Sequence, residues 1–127
     1  MPTVDVPHLG GITAGYRLSN DALDPAKPTV VLVNAMCMTT ALYESQFASA
    51  ALAKAVNLLA VEPLGHGETV LRGGEQFTAW DSATMVLQVM TALGVERAFA
   101  LGTSMGGWIV TRMALLAPDR VRLLLLG

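Results

Sequence analysis

Cysteine, histidine and charge are all scarce in this 127-residue sequence. The single cysteine, Cys37, excludes an internal disulfide framework, and the expected setting is a reducing, cytoplasmic one. One cysteine and two histidines, His8 and His66, are too few for a closed structural zinc site, and nothing suggests a metal or an organic cofactor. Charged residues make up only 14%, with a net charge of -2, and the eight Lys and Arg do not cluster. A nucleic-acid footprint is therefore missing. Long apolar runs are missing too: no segment approaches the ~18 uninterrupted residues of a membrane span. The N-terminus has neither a basic start nor an apolar stretch of the secretory kind. Nucleic acid and membrane are thus not among the expected partners. What is plentiful is apolar surface. Hydrophobic residues reach 53% and mean hydropathy is +0.51, which excludes disorder and points to apolar faces that need cover from outside this chain.

Strand and helix alternate along the sequence. Residues 3–6 and 13–18 read as short strands joined hairpin-fashion through His8-Leu9-Gly10-Gly11, and residues 19–28 as a polar loop. TVVLVN at 29–34 and NLLAV at 57–61 are short, continuous apolar runs that suit strands buried on both faces. Between them, Thr39 and Thr40 can cap a helix running to about Lys54. Pro63, Gly65 and Gly67 end the second run, and a Gly-rich loop at 72–75 leads to Thr78. There Asp81 completes a capping-box arrangement, and Val86, Val89, Met90 and Leu93 give the helix one core face. Gly94 ends that helix. Residues 98–101 form a strand running into Gly102, a helix spans about Met105 to Leu116 and stops before Pro118, and VRLLLL at 121–126 is a final strand. The expected class is α/β, a mainly parallel sheet with flanking helices and right-handed crossovers. A strand of consecutive leucines belongs in the middle of a sheet, not at its edge. Residues 1–127 therefore read as the N-terminal part of a single domain, incomplete without a further chain or segment.

Gly102-Thr103-Ser104-Met105-Gly106 fits the pattern G-x-S-x-G. Taken alone the string describes many Gly-Ser turns; its setting distinguishes it, with a buried strand ending at Gly102 and a helix beginning at Met105. That is the strand–turn–helix of a nucleophile elbow, whose sharp turn lifts a serine hydroxyl above the sheet. Gly102 and Gly106 lack side chains that would crowd the turn, and Gly107 lets the helix approach its neighbours. The helix N-terminus adds backbone donors and the positive end of a dipole beside a developing oxyanion.

The elbow and two further segments resemble the α/β-hydrolase family. Glu62-Pro63-Leu64-Gly65-His66-Gly67-Glu68-Thr69 is similar to the family's Asp-x-x-Gly-His-Gly-x-Ser segment after the fourth strand, and Ala117-Pro118-Asp119-Arg120-Val121 to its Pro-x-x-Val junction into the sixth. The likeness runs from Thr13 onward. It implies Ser104 as the nucleophile and the Met105 backbone N–H as one oxyanion donor. The other donor would come from the loop after TVVLVN, where relatives commonly carry His-Gly; here Asn34-Ala35 stand in their place and Met36 takes the donor position. Asn34, Ala35, Cys37 and Trp108 are then expected to border the substrate. Met36, Cys37 and Met38 read as soft apolar lining of a pocket or core, with Cys37 a small buried hydrophobe. His66 falls on the structural Gly-His-Gly turn, because relatives place the catalytic His in a loop after the last strand. Glu62 stands where Asp is usual. His8 reads as solvated, and Trp80 as a packing residue.

In family order the acid and the His follow the nucleophile, so both are expected beyond Gly127. The function implied is hydrolysis of a small-molecule carboxylic ester, lactone or thioester through an acyl-Ser104 intermediate. It needs a second polypeptide carrying the catalytic His and an Asp or Glu: a C-terminal half released by proteolytic processing near Gly127 and retained as a heterodimer partner. A truncation rescued by self-association is the other account of such a chain. The alternative functions are acyl transfer, since Gly-Thr-Ser-Met-Gly-Gly also resembles elbows of homoserine acetyltransferase-like relatives, a lyase using the same triad, and a non-catalytic binding protein of the same fold.

Overall fold

The computed structural model describes residues 1–126, with side chains through Leu123; Gly127, where the expected cut falls, lies outside them. The chain enters as an antiparallel hairpin of β1 (Thr3–Val6) and β2 (Ile12–Leu18), closed by a 3₁₀ turn at His8–Gly10. β3 (Thr29–Val33) follows, then the short helices α1 (Glu44–Phe47) and α2 (Ala50–Ala55), and then β4 (Asn57–Val61). A two-residue strand, β5 (Val70–Leu71), precedes α3 (Ala79–Ala92). β6 (Ala98–Thr103), α4 (Met105–Leu116) and β7 (Val121–Leu126) complete the described chain.

Among the described residues the sheet order is β1-β2-β4-β3-β6-β7, with β5 beside β2. β3 pairs in parallel with β4 on one edge and β6 on the other, and β7 pairs in parallel with β6. Every residue of β4 is buried, as a strand covered on both faces requires. The two-residue period of a strand then divides its side chains between two layers. Val31, Val33, Leu59, Val61, Ala98 and Ala100 share a core with Met85, Val86, Val89 and Met90 of α3 and Ile109, Val110 and Met113 of α4. Leu32, Leu58 and Ala60 turn the other way, onto Tyr43.

The chain passes from β3 to β4 on one side and then returns across β3 to lay β6 against its other edge. Strand order thus reverses between β3 and β6, and ligands of open α/β sheets bind outside the carboxyl ends of the strands at such a reversal. Those ends are Val33-Asn34 and Thr103-Ser104, with Val33 opposite Gly102 in the register.

Several expectations need correction. The single helix from Thr39 or Thr40 to Lys54 is broken into a 3₁₀ turn at Thr40–Tyr43 and the two short helices. Ser49 causes the second break: it adopts an extended conformation, and its hydroxyl accepts the Leu52 N–H at 3.2 Å, starting a new helix. β6 runs to Thr103, two residues past the expected end, and β5 carries no periodicity by which to recognise it. β7 needs no such correction: it ends the strand order and among the described residues has one neighbour, β6, as expected of a sheet that this chain forms only in part. A second neighbour would have to come from outside them.

Candidate active site

Ser104 joins β6 to α4 at φ 53 and ψ -114, a backbone conformation that a residue with a side chain adopts only under constraint. The constraint is steric. A Cβ on Gly102 would strike the carbonyl group of Gly106 and the nitrogen of Gly107, and one on Gly106 would strike the carbonyl oxygen of Val33. With hydrogen in both places, the turn closes against the end of β3, and Gly107 N–H donates to the Ser104 carbonyl at 2.8 Å. Ser104 itself is exposed. Met105 opens α4, where the first N–H groups have no acceptor inside the helix.

Across the strand reversal, residues 34–38 form a compact turn closed by Met38 N–H on the Ala35 carbonyl at 3.2 Å. Asn34 is fully buried beneath it. Its Nδ2 donates to the carbonyls of Ala35 and Met38, at 3.0 and 2.9 Å. These two acceptors fix the amide orientation, and Oδ1 is left buried without a donor among the described residues. Ala35 is half-buried and Cys37 is exposed, at φ 62. Met36 is 63% exposed. The soft lining expected of Met36, Cys37 and Met38 is therefore open surface here, and Cys37 is not buried, because the turn lifts all three side chains off the sheet. Trp108 stands one turn beyond the elbow on the outer side of α4, 67% exposed.

Three buried groups that sequence reasoning left without a role tie these parts together. Tyr43 donates its hydroxyl proton to the Val33 carbonyl at 2.8 Å, so the Thr103 hydroxyl, 2.9 Å away, donates to the Tyr43 oxygen. Burial pushes the Tyr43 phenol above its ordinary 10.0 against the opposing Thr103 hydrogen bond, so it stays a neutral donor. Glu62 accepts the Thr40 N–H on Oε2 at 3.1 Å and the Glu68 N–H on Oε1 at 2.9 Å. A Cβ on Gly67 would meet that carboxylate, so the longer acid fits here because Gly67 leaves it room. Thr69 completes the segment, donating to the Glu62 carbonyl at 2.7 Å and accepting Gly15 N–H at 2.9 Å.

Both histidines are occupied. His66 contacts the Leu64 carbonyl through Nδ1 and the Cys37 N–H through Nε2, each at 3.0 Å. His8, expected to be solvated, places Nε2 2.9 Å from Asp81 Oδ1, and its backbone N–H donates to Gln88 Oε1 at 3.0 Å. It fastens the β1–β2 turn to α3, because capping already holds Asp81 on that side of the helix. Trp80 is half outside the core, and the Arg112 guanidinium lies 5.1 Å over its ring. Among the described residues no three His, Cys, Asp or Glu side chains converge as a metal site would need, and no helix is long and apolar enough to cross a membrane. A recess of about 760 Å³ lined by Arg97, Phe99, Pro118 and Arg122 lies at the opposite, amino-terminal end of β6 and β7, away from Ser104.

Residues 28–126 match the family model described as alpha/beta hydrolase fold. Among solved structures, a hydrolase from Pseudomonas aeruginosa PA01 is similar, with a TM-score of 0.81 and 30% identity over 97% of this chain and 44% of that one. A probable hydrolytic enzyme from P. aeruginosa PAO1 has a TM-score of 0.82 and 26% identity, over 98% of this chain and 40% of its own. The enol-lactonase from Burkholderia xenovorans LB400 has a TM-score of 0.77 and 26% identity, over 94% and 44%. No curated protein matches the sequence. The chain spans less than half the length of each of these three structures.

Proposed function

The chain belongs to the alpha/beta hydrolase fold family, and on that premise we propose that it carries the nucleophile and oxyanion side of a serine hydrolase acting on a carboxylic ester, lactone or thioester. The observation that carries this reading is Ser104, held exposed at φ 53 at the point where strand order reverses. Its Oγ attacks the acyl carbon while a histidine takes its proton. The Met105 N–H and the Met36 N–H hold the resulting oxyanion. Met36 takes the donor position that the family resemblance implies, and the Cys37 N–H beside it is committed to His66. Collapse breaks the bond to the alcohol or thiol, which leaves with the proton from the histidine. Water, deprotonated by the same histidine, then attacks the acyl-Ser104 ester; the acyl–Oγ bond breaks, the histidine returns its proton to Ser104 Oγ, and the acid is released.

The base and its orienting acid belong, in this reading, to the C-terminal half of the domain, held as a partner polypeptide. Two facts support placing the base and acid outside the described residues. His8 and His66 are both engaged elsewhere, and the chain covers only 40–44% of the three similar structures. The enol-lactonase among them favours an ester or lactone over acyl transfer to another acceptor or a purely binding role. With an activated aryl ester, the assembly as purified should show a burst of alcohol product equal to its Ser104 content. Ser104→Ala should lose the burst and at least about a thousandfold in turnover, with assembly unchanged. Equal turnover by that variant would overturn the mechanism.

A further inference from the structure

We propose that His66 is a positioning residue for the oxyanion loop: as the neutral, Nδ1-protonated tautomer it holds the Cys37 N–H and so sets the turn that presents Met36. The consequence for turnover rests on the acyl-transfer reading above; the clamp itself does not. The two partners of the ring decide its protonation. The Leu64 carbonyl can only accept and the Cys37 N–H can only donate, at 3.0 Å each. Nδ1 must therefore carry the proton and Nε2 the lone pair.

The clamp has something to hold. Cys37 has φ 62, and such a conformation in a residue with a side chain persists only where its surroundings over-determine it. Four further hydrogen bonds act on the same short segment. Asn34 Nδ2 binds the Ala35 and Met38 carbonyls, Met38 N–H closes on the Ala35 carbonyl, and Glu62 takes the Thr40 N–H just beyond. Among these, His66 alone grips the backbone of Cys37, next to the donor Met36. It also joins two loops that follow different strands, β3 and β4, so the turn after β4 is fixed to the loop beside the nucleophile.

The test is made on the purified chain with whatever polypeptide accompanies it. Long-range ¹H–¹⁵N spectra of the imidazole should show His66 protonated at Nδ1. In His66→Ala the Cys37 and Met36 amide resonances should move, and His66→Gln, whose side-chain oxygen can accept near the Nε2 position, should return Cys37 towards its original shift. An Nε2-protonated ring, or unmoved amides in His66→Ala, would overturn the clamp, and the wild-type spectrum decides this even where the alanine variant fails to fold. On an ester, His66→Ala should lower kcat about tenfold or more, towards the hundredfold cost of losing an oxyanion donor, with KM within about twofold and His66→Gln largely restored. Moved amides with unchanged kcat would overturn the positioning role. A wild-type assembly with no ester turnover would instead refute the hydrolase reading, while the resonances still decide the clamp.

Discussion

Ser104 occupies its strained turn because two neighbours have no side chain, and this makes the turn at residues 102–106 the most legible part of the candidate site. Glycine, serine and glycine at fixed spacing between an apolar strand and a helix leave few other structures for residues 102–106. A methyl group on Gly106 would run into the Val33 carbonyl and the Asn34 carbonyl oxygen. Gly106→Ala should therefore cost about 1–3 kcal/mol or more in urea unfolding and prevent active-site labelling even where the variant folds. A fully labelled, equally stable variant would mean the close approach is dispensable. Tyr43 was not legible, and of Glu62 only its place in the segment after β4 was. Tyr43 meets Thr103 across 60 residues of sequence, and nothing local to either residue marks the pair. Tyr43→Phe leaves the Val33 carbonyl and the Thr103 hydroxyl without that partner, so it should destabilise by about 1 kcal/mol, read from chemical denaturation. His66, which the family resemblance set on a Gly-His-Gly turn, donates its N–H to the Pro63 carbonyl, but its partner Cys37 lies on a loop whose conformation no pattern describes.

At the scale of elements, strands and helices with punctuation at both ends could be read closely. α3 begins where Thr78 and Asp81 form a reciprocal capping box and ends at Gly94, φ 79, whose N–H binds Thr91 while Val95 N–H reaches back to Met90 at 2.8 Å. The stretch between Thr40 and Ala55 could not be read so well, because Ser49 competes for a backbone N–H that a continuous helix would use within itself. Thr78→Ala should cost about 1 kcal/mol in urea unfolding. Acid should act on the same cap. Burial pushes the Asp81 carboxyl up, but hydrogen bonds from the Thr78 N–H, His8 and the Thr78 hydroxyl together outweigh it and hold the group below its ordinary 3.8. A carboxyl lowered in the folded state adds stability above its unfolded pKa, and that stability is lost as pH falls through the folded value. Melting temperature should therefore drop as pH falls below 3.8, and Asp81→Asn should flatten that part of the slope. Parallel slopes would remove the cap from the account.

For the whole molecule, alternating buried strands and helices were enough to give an α/β sheet in which β3, β4, β6 and β7 run parallel, although β2 pairs antiparallel with β1, β4 and β5, and the reversal of strand order between β3 and β6 sets the Asn34 loop opposite Ser104. Strand order itself was not legible, since TVVLV and NLLAV are equally fit for any buried place. Apolar side chains remain in the open on both sides of the sheet: Phe99 and Leu123 are each 38% exposed, and Trp108 and Leu115 each 67%. Faces of this kind mark contact surfaces in folded proteins, and they agree with a chain that spans only part of the fold. The most direct test of the central claim is intact-protein mass spectrometry of the native material before and after a fluorophosphonate probe. The account predicts a second polypeptide in the same assembly and one probe adduct, mapped to Ser104 and missing in Ser104→Ala. An adduct on another residue, or a folded 13.4 kDa monomer that the probe leaves unmodified, would contradict it.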